Sequence, residues 1–208
     1  MPGDAGPSSV MVRPYDPDAD RAALWALKAA FETALGDTGG DAKAETYAAK
    51  LSDAYRARWL AWVDRCVAAR ADCVTVAEAG PGSGNAVGDG AGAGGDENDV
   101  GDVAGPGGDD SADGGPTLVG YVFVLPERLA FVWDAAVVNE LYLARAYRGT
   151  GVADDLMTAA VDVARRQDLP LDRLLLDVDP ENARAAAFYD RHGFEPWGEI
   201  VARPLGED

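Results

Sequence analysis

Leu141-Tyr142-Leu143-Ala144-Arg145-Ala146-Tyr147-Arg148-Gly149-Thr150-Gly151-Val152-Ala153 is the stretch that decides the fold, because a strand pattern gives way to a helix pattern within it. Leu141 and Leu143 alternate with Glu140 and Tyr142, which predicts a strand over Ala136 to Leu143. From Val152 the apolar residues Leu156, Met157, Ala160, Val161 and Ala164 recur at helical spacing, predicting a helix that ends near Gln167. Gly149 and Gly151 fall in the turn between them and can adopt positive φ. The amides that follow open a helix and have no partner inside it. Such a turn is an anion site for a phosphate or diphosphate, and Arg148 adds a permanent cation. Two familiar phosphate loops are excluded. A dinucleotide fingerprint needs a third glycine where Asp154 stands, and a Walker loop needs a lysine, yet none occurs after Lys50.

Downstream, Leu174 to Val178 reads as a short buried strand. Asp179-Pro180 pairs an N-cap with a proline and opens a helix through Ala183, Ala187 and Phe188, with Gly193 placed as its C′ residue. A last strand is predicted within residues 194–204. Upstream, Val10 to Arg13 forms a short strand, and Asp16-Pro17 opens a helix that carries Leu24, Leu27, Ala30, Phe31 and Ala34 and stops at Gly36. A single second helix is predicted from Lys43 to Arg70, with Tyr47, Leu51, Tyr55, Trp59, Trp62, Val63 and Cys66 on one face. That aromatic stripe is a core face first and a wall of a substrate groove second. Strands alternating with helices call for an α/β fold with a mixed sheet.

Between the strand-like runs Cys73 to Ala77 and Leu118 to Val124 lies Gly80 to Pro116, with 14 Gly, eight Asp or Glu and no Lys or Arg. It has too little apolar surface to offset the entropy of ordering, so it is predicted to be a disordered, acidic, Gly-rich insertion in a β-hairpin. The domain then spans 9–204.

The 208 residues carry 36 acidic and 18 basic side chains, a net charge of -18, and only three of the cations are Lys. A surface of this sign repels phosphate backbones and excludes nucleic acid as a partner. Acid excess with scarce lysine predicts a halophilic protein, because at ~1 M salt the Debye length falls to about 3 Å and self-repulsion is screened. No apolar run reaches the ~18 residues of a membrane span, and no secretory leader is evident, which predicts a cytoplasmic location. Cys66 and Cys73 read as two buried thiols.

Two segments together resemble a known family. Arg148-Gly149-Thr150-Gly151-Val152-Ala153 is similar to the R/Q-x-x-G-x-G/A signature of the GNAT N-acetyltransferase superfamily. Asn182-Ala183-Arg184-Ala185-Ala186-Ala187-Phe188-Tyr189, followed by His192-Gly193-Phe194, resembles the family's N-x-x-A-x-x-x-Y…G-F helix. Val12-Arg13-Pro14 with its acid-rich turn is also typical of the family's N-termini.

The resemblance implies an α/β GNAT fold with splayed central strands and acetyl-CoA as cosubstrate. It places the pantetheine arm against the backbone near Leu141 and Leu143, the diphosphate on Arg148, Gly149, Thr150, Gly151, Val152, Ala153 and Asp154, and Asn182 on the pantetheine. It makes Tyr189 the general acid for the leaving thiolate, close to the thioester sulfur. The implied reaction is direct attack of a primary amine on the thioester in a ternary complex and needs no metal. For the base, two carboxylates stay open: Glu140 on the splayed strand and Asp177 on its neighbour. His192 is read as a helix cap rather than a base. The acceptor is an amine-bearing small molecule or a protein or peptide amine. The alternative is a non-catalytic acyl-CoA-binding or interaction module of the same fold. Asp154 opposes the ligand's charge, and the short segment after Phe194 leaves the closing hairpin incomplete or supplied by a second copy in a homodimer.

Overall fold

The computed structural model of the protein describes residues 10–37, 40–81, 116–130, 132–198 and 200. Their elements run β1 (Val10–Pro14), α1 (Arg21–Gly36), α2 (Asp41–Lys50), α3 (Asp53–Ala69), β2 (Val74–Ala79), β3 (Thr117–Val124), α4 (Glu127–Ala130), β4 (Ala136–Leu143), α5 (Val152–Arg165), β5 (Leu174–Leu175) and α6 (Ala183–Arg191). The described strands form one mixed sheet in the order β1-β2-β3-β4-β5. The first four pair antiparallel, and β5 runs parallel to β4. The chain therefore has the expected α/β architecture, a mixed sheet flanked by helices.

The sheet separates two apolar layers. On one face Leu24, Leu27, Trp59, Leu60, Val63 and Cys66 from α1 and α3 pack against Val74, Val76, Tyr121 and Phe123. On the other, Val152, Leu156, Met157, Ala160 and Val163 of α5 cover Ala77, Val122, Val138 and Leu143. Phe188 and Tyr189 of α6 join the rim of that second layer. Strand alternation sends Glu140 and Tyr142 to the α1 side and Leu141 and Leu143 to the α5 side, as their partners Phe123, Tyr121, Val122 and Gly120 require. Gly120 is needed at its position. A Cβ there would lie 2.8 Å from the Tyr142 carbonyl oxygen and from a Leu143 methyl.

Several boundaries differ from expectation, each for a local reason. The predicted second helix is two helices, broken at Leu51-Ser52, because the Ser52 hydroxyl accepts a hydrogen bond from Tyr55 N and caps α3. Helix α1 starts at Arg21 rather than after Asp16. Asp20 occupies its N-cap position without capping, since its carboxylate binds Arg13 at 2.6 and 2.8 Å. In α6 the cap is Asn182, which accepts from Ala185 N at 3.1 Å. Asp179, the expected cap, instead accepts from Glu181 N and pairs with Lys43. The strand predicted to reach Val178 is confined to Leu174–Leu175. Residues 194–198 form no strand, and the rest of the predicted last strand falls largely outside the described residues.

Strands β2 and β3 pair antiparallel as the two arms of the expected hairpin. The predicted disorder of the connecting insertion concerns residues outside those described. Cys66 and Cys73 are buried free thiols, and burial pushes the Cys73 thiol up to about 12.

Candidate active site

Strand β4 leaves its neighbour abruptly. It pairs with β5 only at Ala136↔Leu174 and Val137↔Leu175. The register with β3 shifts immediately afterwards, from Val124↔Val138 to Phe123↔Glu140, so Asn139 is a bulged extra residue. A bulge bends a strand and increases its twist. Here it lies at the point where the β4–β5 ladder stops, and among the described residues the stretch from Glu140 to Leu143 has no strand on that side.

The main-chain polarity along this open edge follows from the antiparallel alternation. Ala144 N donates to Val119 O at 2.8 Å, so the hydrogen-bonded pairs with β3 fall on residues 144, 142 and 140. The N–H groups of Leu141 and Leu143 consequently face the gap. The Leu143 carbonyl is engaged, accepting from Arg148 Nε at 3.1 Å.

One turn further on, Arg145–Tyr147 forms a 3-10 turn and the chain passes through Gly149 and Gly151, at φ 80 and 92. Neither glycine has an atom within 4 Å of a would-be Cβ, so backbone conformation rather than space requires them. The first backbone bonds of α5 run from Asp154 N and Asp155 N to Gly151 O. The amides of Gly149, Thr150, Gly151, Val152 and Ala153 make no backbone hydrogen bond among the described residues. Five such donors at the positive end of a helix dipole form a cradle for an anion.

Asp154 does not face this cradle uncompensated. Its carboxylate accepts from Arg191 and lies 2.8 Å from His192 Nε2, tying α5 to the end of α6. The Arg191 hydrogen bond, helped by His192, holds Asp154 below the usual carboxylate range. Tyr189 packs edge-on between Phe188 and Phe194, and burial pushes its hydroxyl up to about 12. It therefore keeps its proton at neutral pH. Asn182 caps α6, and Asp177 is exposed beyond the end of β5.

Glu140 occupies a different environment. It is 5% exposed, and its Oε1 lies 2.6 Å from Lys28 Nζ while its Oε2 accepts from the Tyr121 hydroxyl at 2.7 Å. Asn139 Nδ2 donates to Oε1 at 3.0 Å. Lys28 also pairs with Glu32 at 2.5 Å, and Glu32 in turn with Lys50 at 2.5 Å. Burial works against the Lys28 charge, but Glu140 and Glu32 outweigh it and raise its pKa. For Glu32, burial opposes the charge and the two lysines prevail, lowering its pKa. None of Lys28, Glu32, Lys50 or Tyr121 was marked by a motif. The signal was present only as spacing: Lys28 and Glu32 follow Leu24 at intervals of four, on the buried face of α1.

The family model for the acetyltransferase (GNAT) family matches residues 108–194, from within the insertion to the end of α6. That segment, less than half of the chain, is similar to the GNAT acetyltransferases. The match takes in β3, β4, the glycine turn and α6, and leaves β1, α1, α2, α3 and β2 outside it. Solved structures of GNAT proteins share the fold at low identity. The PaiA N-acetyltransferase of Thermoplasma acidophilum, in complex with coenzyme A, is 15% identical with a TM-score of 0.57 and 90% of each chain covered. The GCN5-related N-acetyltransferase of Ralstonia eutropha JMP134 is 15% identical with a TM-score of 0.54, covering 95% of this chain and 100% of that one. The aminoglycoside N-acetyltransferase AAC(6')-Iy, in complex with CoA, is 14% identical with a TM-score of 0.55, covering 98% and 97%. No curated protein matches the chain. Among the described residues no cluster of His, Cys, Asp and Glu could hold a metal, and no helix is long and apolar enough to cross a membrane.

Proposed function

We propose that this GNAT-like domain transfers an acetyl group from acetyl-CoA to a primary amine, by direct attack in a ternary complex. The observation that carries the reading is the set of five unpartnered amides from Gly149 to Ala153, placed beside the gap where β4 leaves β5. In this reading those amides and Arg148 hold the diphosphate, and the N–H groups of Leu141 and Leu143 receive the pantetheine arm, with Asn182 against it. An N–H on the same edge meets the oxyanion as the amine nitrogen bonds to the thioester carbonyl. The C–S bond then breaks, and Tyr189 donates its proton to the departing thiolate. Glu140 takes the proton from the incoming ammonium, ahead of Asp177, because it stands on the diverging strand itself. The acidic surface suits cationic acceptors, whether small amines or protein amino groups, and suits a cytoplasm rich in salt.

One observation favours the rival reading, a non-catalytic acyl-CoA-binding module. Glu140 is 5% exposed and its carboxylate already accepts from Lys28, Asn139 and Tyr121, which leaves little of its acceptor capacity open to a substrate proton. Incubation with acetyl-CoA and a panel of primary amines in high salt, followed through free thiol, separates the two. Thiol release dependent on an amine supports the transferase. Coenzyme A binding with no thiol release for any amine supports the module.

A further inference from the structure

Outside the glycine turn, the most unusual chemistry in the molecule is the buried charge chain Glu140–Lys28–Glu32–Lys50. Lys28 is 3% exposed and Glu32 is 2% exposed, at the centre of an otherwise apolar layer. The Lys28 ammonium sits 5.1 Å from the Phe31 ring centre and 5.4 Å from that of Trp59, so aromatic faces surround it where carboxylates do not. Taking three charges, those of Glu140, Lys28 and Glu32, out of water is expensive, and well-packed apolar residues of similar volume are often at least as stabilising. Stability alone is therefore a poor reason for this arrangement. The chain has a direction: it starts on β4 beside the bulge, crosses α1 and ends at Lys50 on α2, which is 38% exposed.

We propose that Lys28 is a positioning residue for acyl transfer: its 2.6 Å ion pair keeps the Glu140 carboxylate charged and fixed at the diverging strand, while Glu32 sets how much of that cation Glu140 receives. The inference rests on the assignment of Glu140 as base. Without a cation, a carboxylate this deep favours its neutral form and cannot accept a proton. Lys28 supplies the opposing charge from the side away from the gap, so the acceptor amine need not. Glu32 competes for the same ammonium, and Lys50 offsets the competition by pairing with the other oxygen of Glu32. Also facing this cluster are the Tyr55 hydroxyl from α3, which donates to Glu32 at 3.1 Å, the Tyr121 hydroxyl from β3, the Asn139 amide and the Tyr47 ring of α2, whose centre lies 4.5 Å from Lys50 Nζ. Burial and the Glu140 charge both push Tyr121 well above its ordinary value, so it remains a hydrogen-bond donor throughout.

The test compares the acidic limb of kcat/KM against pH in wild type, Lys28→Met, Glu32→Gln and Glu140→Gln, and reads the 13C shift of the Glu140 carboxyl over the same range. The amine's own titration is common to all four proteins and cancels in the comparison. Lys28→Met moves the acidic limb to higher pH by about one to three units, the size expected for losing an adjacent opposite charge. Glu32→Gln moves it the other way, to lower pH, and serves alone if Lys28→Met does not fold. Glu140→Gln lowers turnover by about 100-fold or more and abolishes the limb. If Glu140→Gln keeps wild-type turnover and its limb, the base assignment fails. If Glu140→Gln removes the limb but neither other variant displaces it, in rate or in carboxyl shift, the role given to Lys28 is overturned.

Discussion

The two sides of the sheet are built in opposite ways. On the α5 side the candidate cofactor site is almost entirely backbone: the amides of Gly149 to Ala153 and the open edge of β4 at Leu141 and Leu143. On the α1 side the surroundings of Glu140 consist of side chains from β3, β4, α1, α2 and α3, joined by hydrogen bonds and ion pairs that span as many as 112 residues of sequence. A backbone site is specified by conformation, which two glycines and a change of period determine locally. A side-chain site is specified by which helices meet, and no short window of sequence contains that. The family match reflects the same division, because it starts at residue 108 and omits α1, α2 and α3.

Substitutions on the two sides should therefore fail differently. The largest effect is expected at the rim of the α5 side. Tyr189→Phe removes the proton donor but keeps the ring packed against Phe188 and Phe194, so turnover falls by about 100-fold while coenzyme A affinity changes less than about twofold. Steady-state kinetics and calorimetry measure the two. Unchanged turnover would remove Tyr189 from the mechanism. Next is Gly151→Val, which forces a β-branched residue to a φ of 92 and weakens coenzyme A binding by roughly 10- to 100-fold, with little change in the cluster around Glu140. Wild-type affinity in this variant would mean that the turn is not the anion site.

Smaller effects are expected away from the cofactor. Asp20→Asn breaks the paired hydrogen bonds to Arg13, where Asp20 is 5% exposed, and should cost about 2 kcal/mol in urea unfolding at pH 7. The Arg13 hydrogen bond depresses the Asp20 pKa in the folded state, so its contribution is present above the ordinary Asp value of about 3.9 and is lost as pH falls below it. The gap between wild type and Asp20→Asn should accordingly narrow as pH falls below about 4 and close only once pH passes below the depressed folded-state value. The mildest is Ser52→Ala, which removes the cap between α2 and α3 and should cost about 0.5–1 kcal/mol without altering catalysis. No loss of stability would mean that the break at Leu51 is set by packing alone.

The legibility of the molecule follows the same contrast. The strand-to-helix switch at Leu143 and Val152 was readable from period alone, and it located β4, the glycine turn and α5 correctly. The N-caps were harder, because Asp16, Asp20, Ser52, Asp179 and Asn182 are all capable residues. Tertiary partners decided among them: Arg13 drew Asp20 away and Lys43 engaged Asp179. Strand β5 proved shorter than its apolar run because the bulge at Asn139 turns β4 away after Val137, and a bulge leaves no mark in composition. Glu140 was visible as a candidate but its environment was not. Lys28 lies 112 residues earlier in the chain, and nothing between them signals that they meet.

A crystal structure of the protein with coenzyme A tests the central claim most directly. The account predicts the diphosphate on the amides between Gly149 and Ala153, and the pantetheine arm lying along Leu141 and Leu143 in the opening beyond Val137. A ladder between β4 and β5 continuing past Val137 through Leu143, or coenzyme A bound elsewhere with those amides untouched, would contradict it.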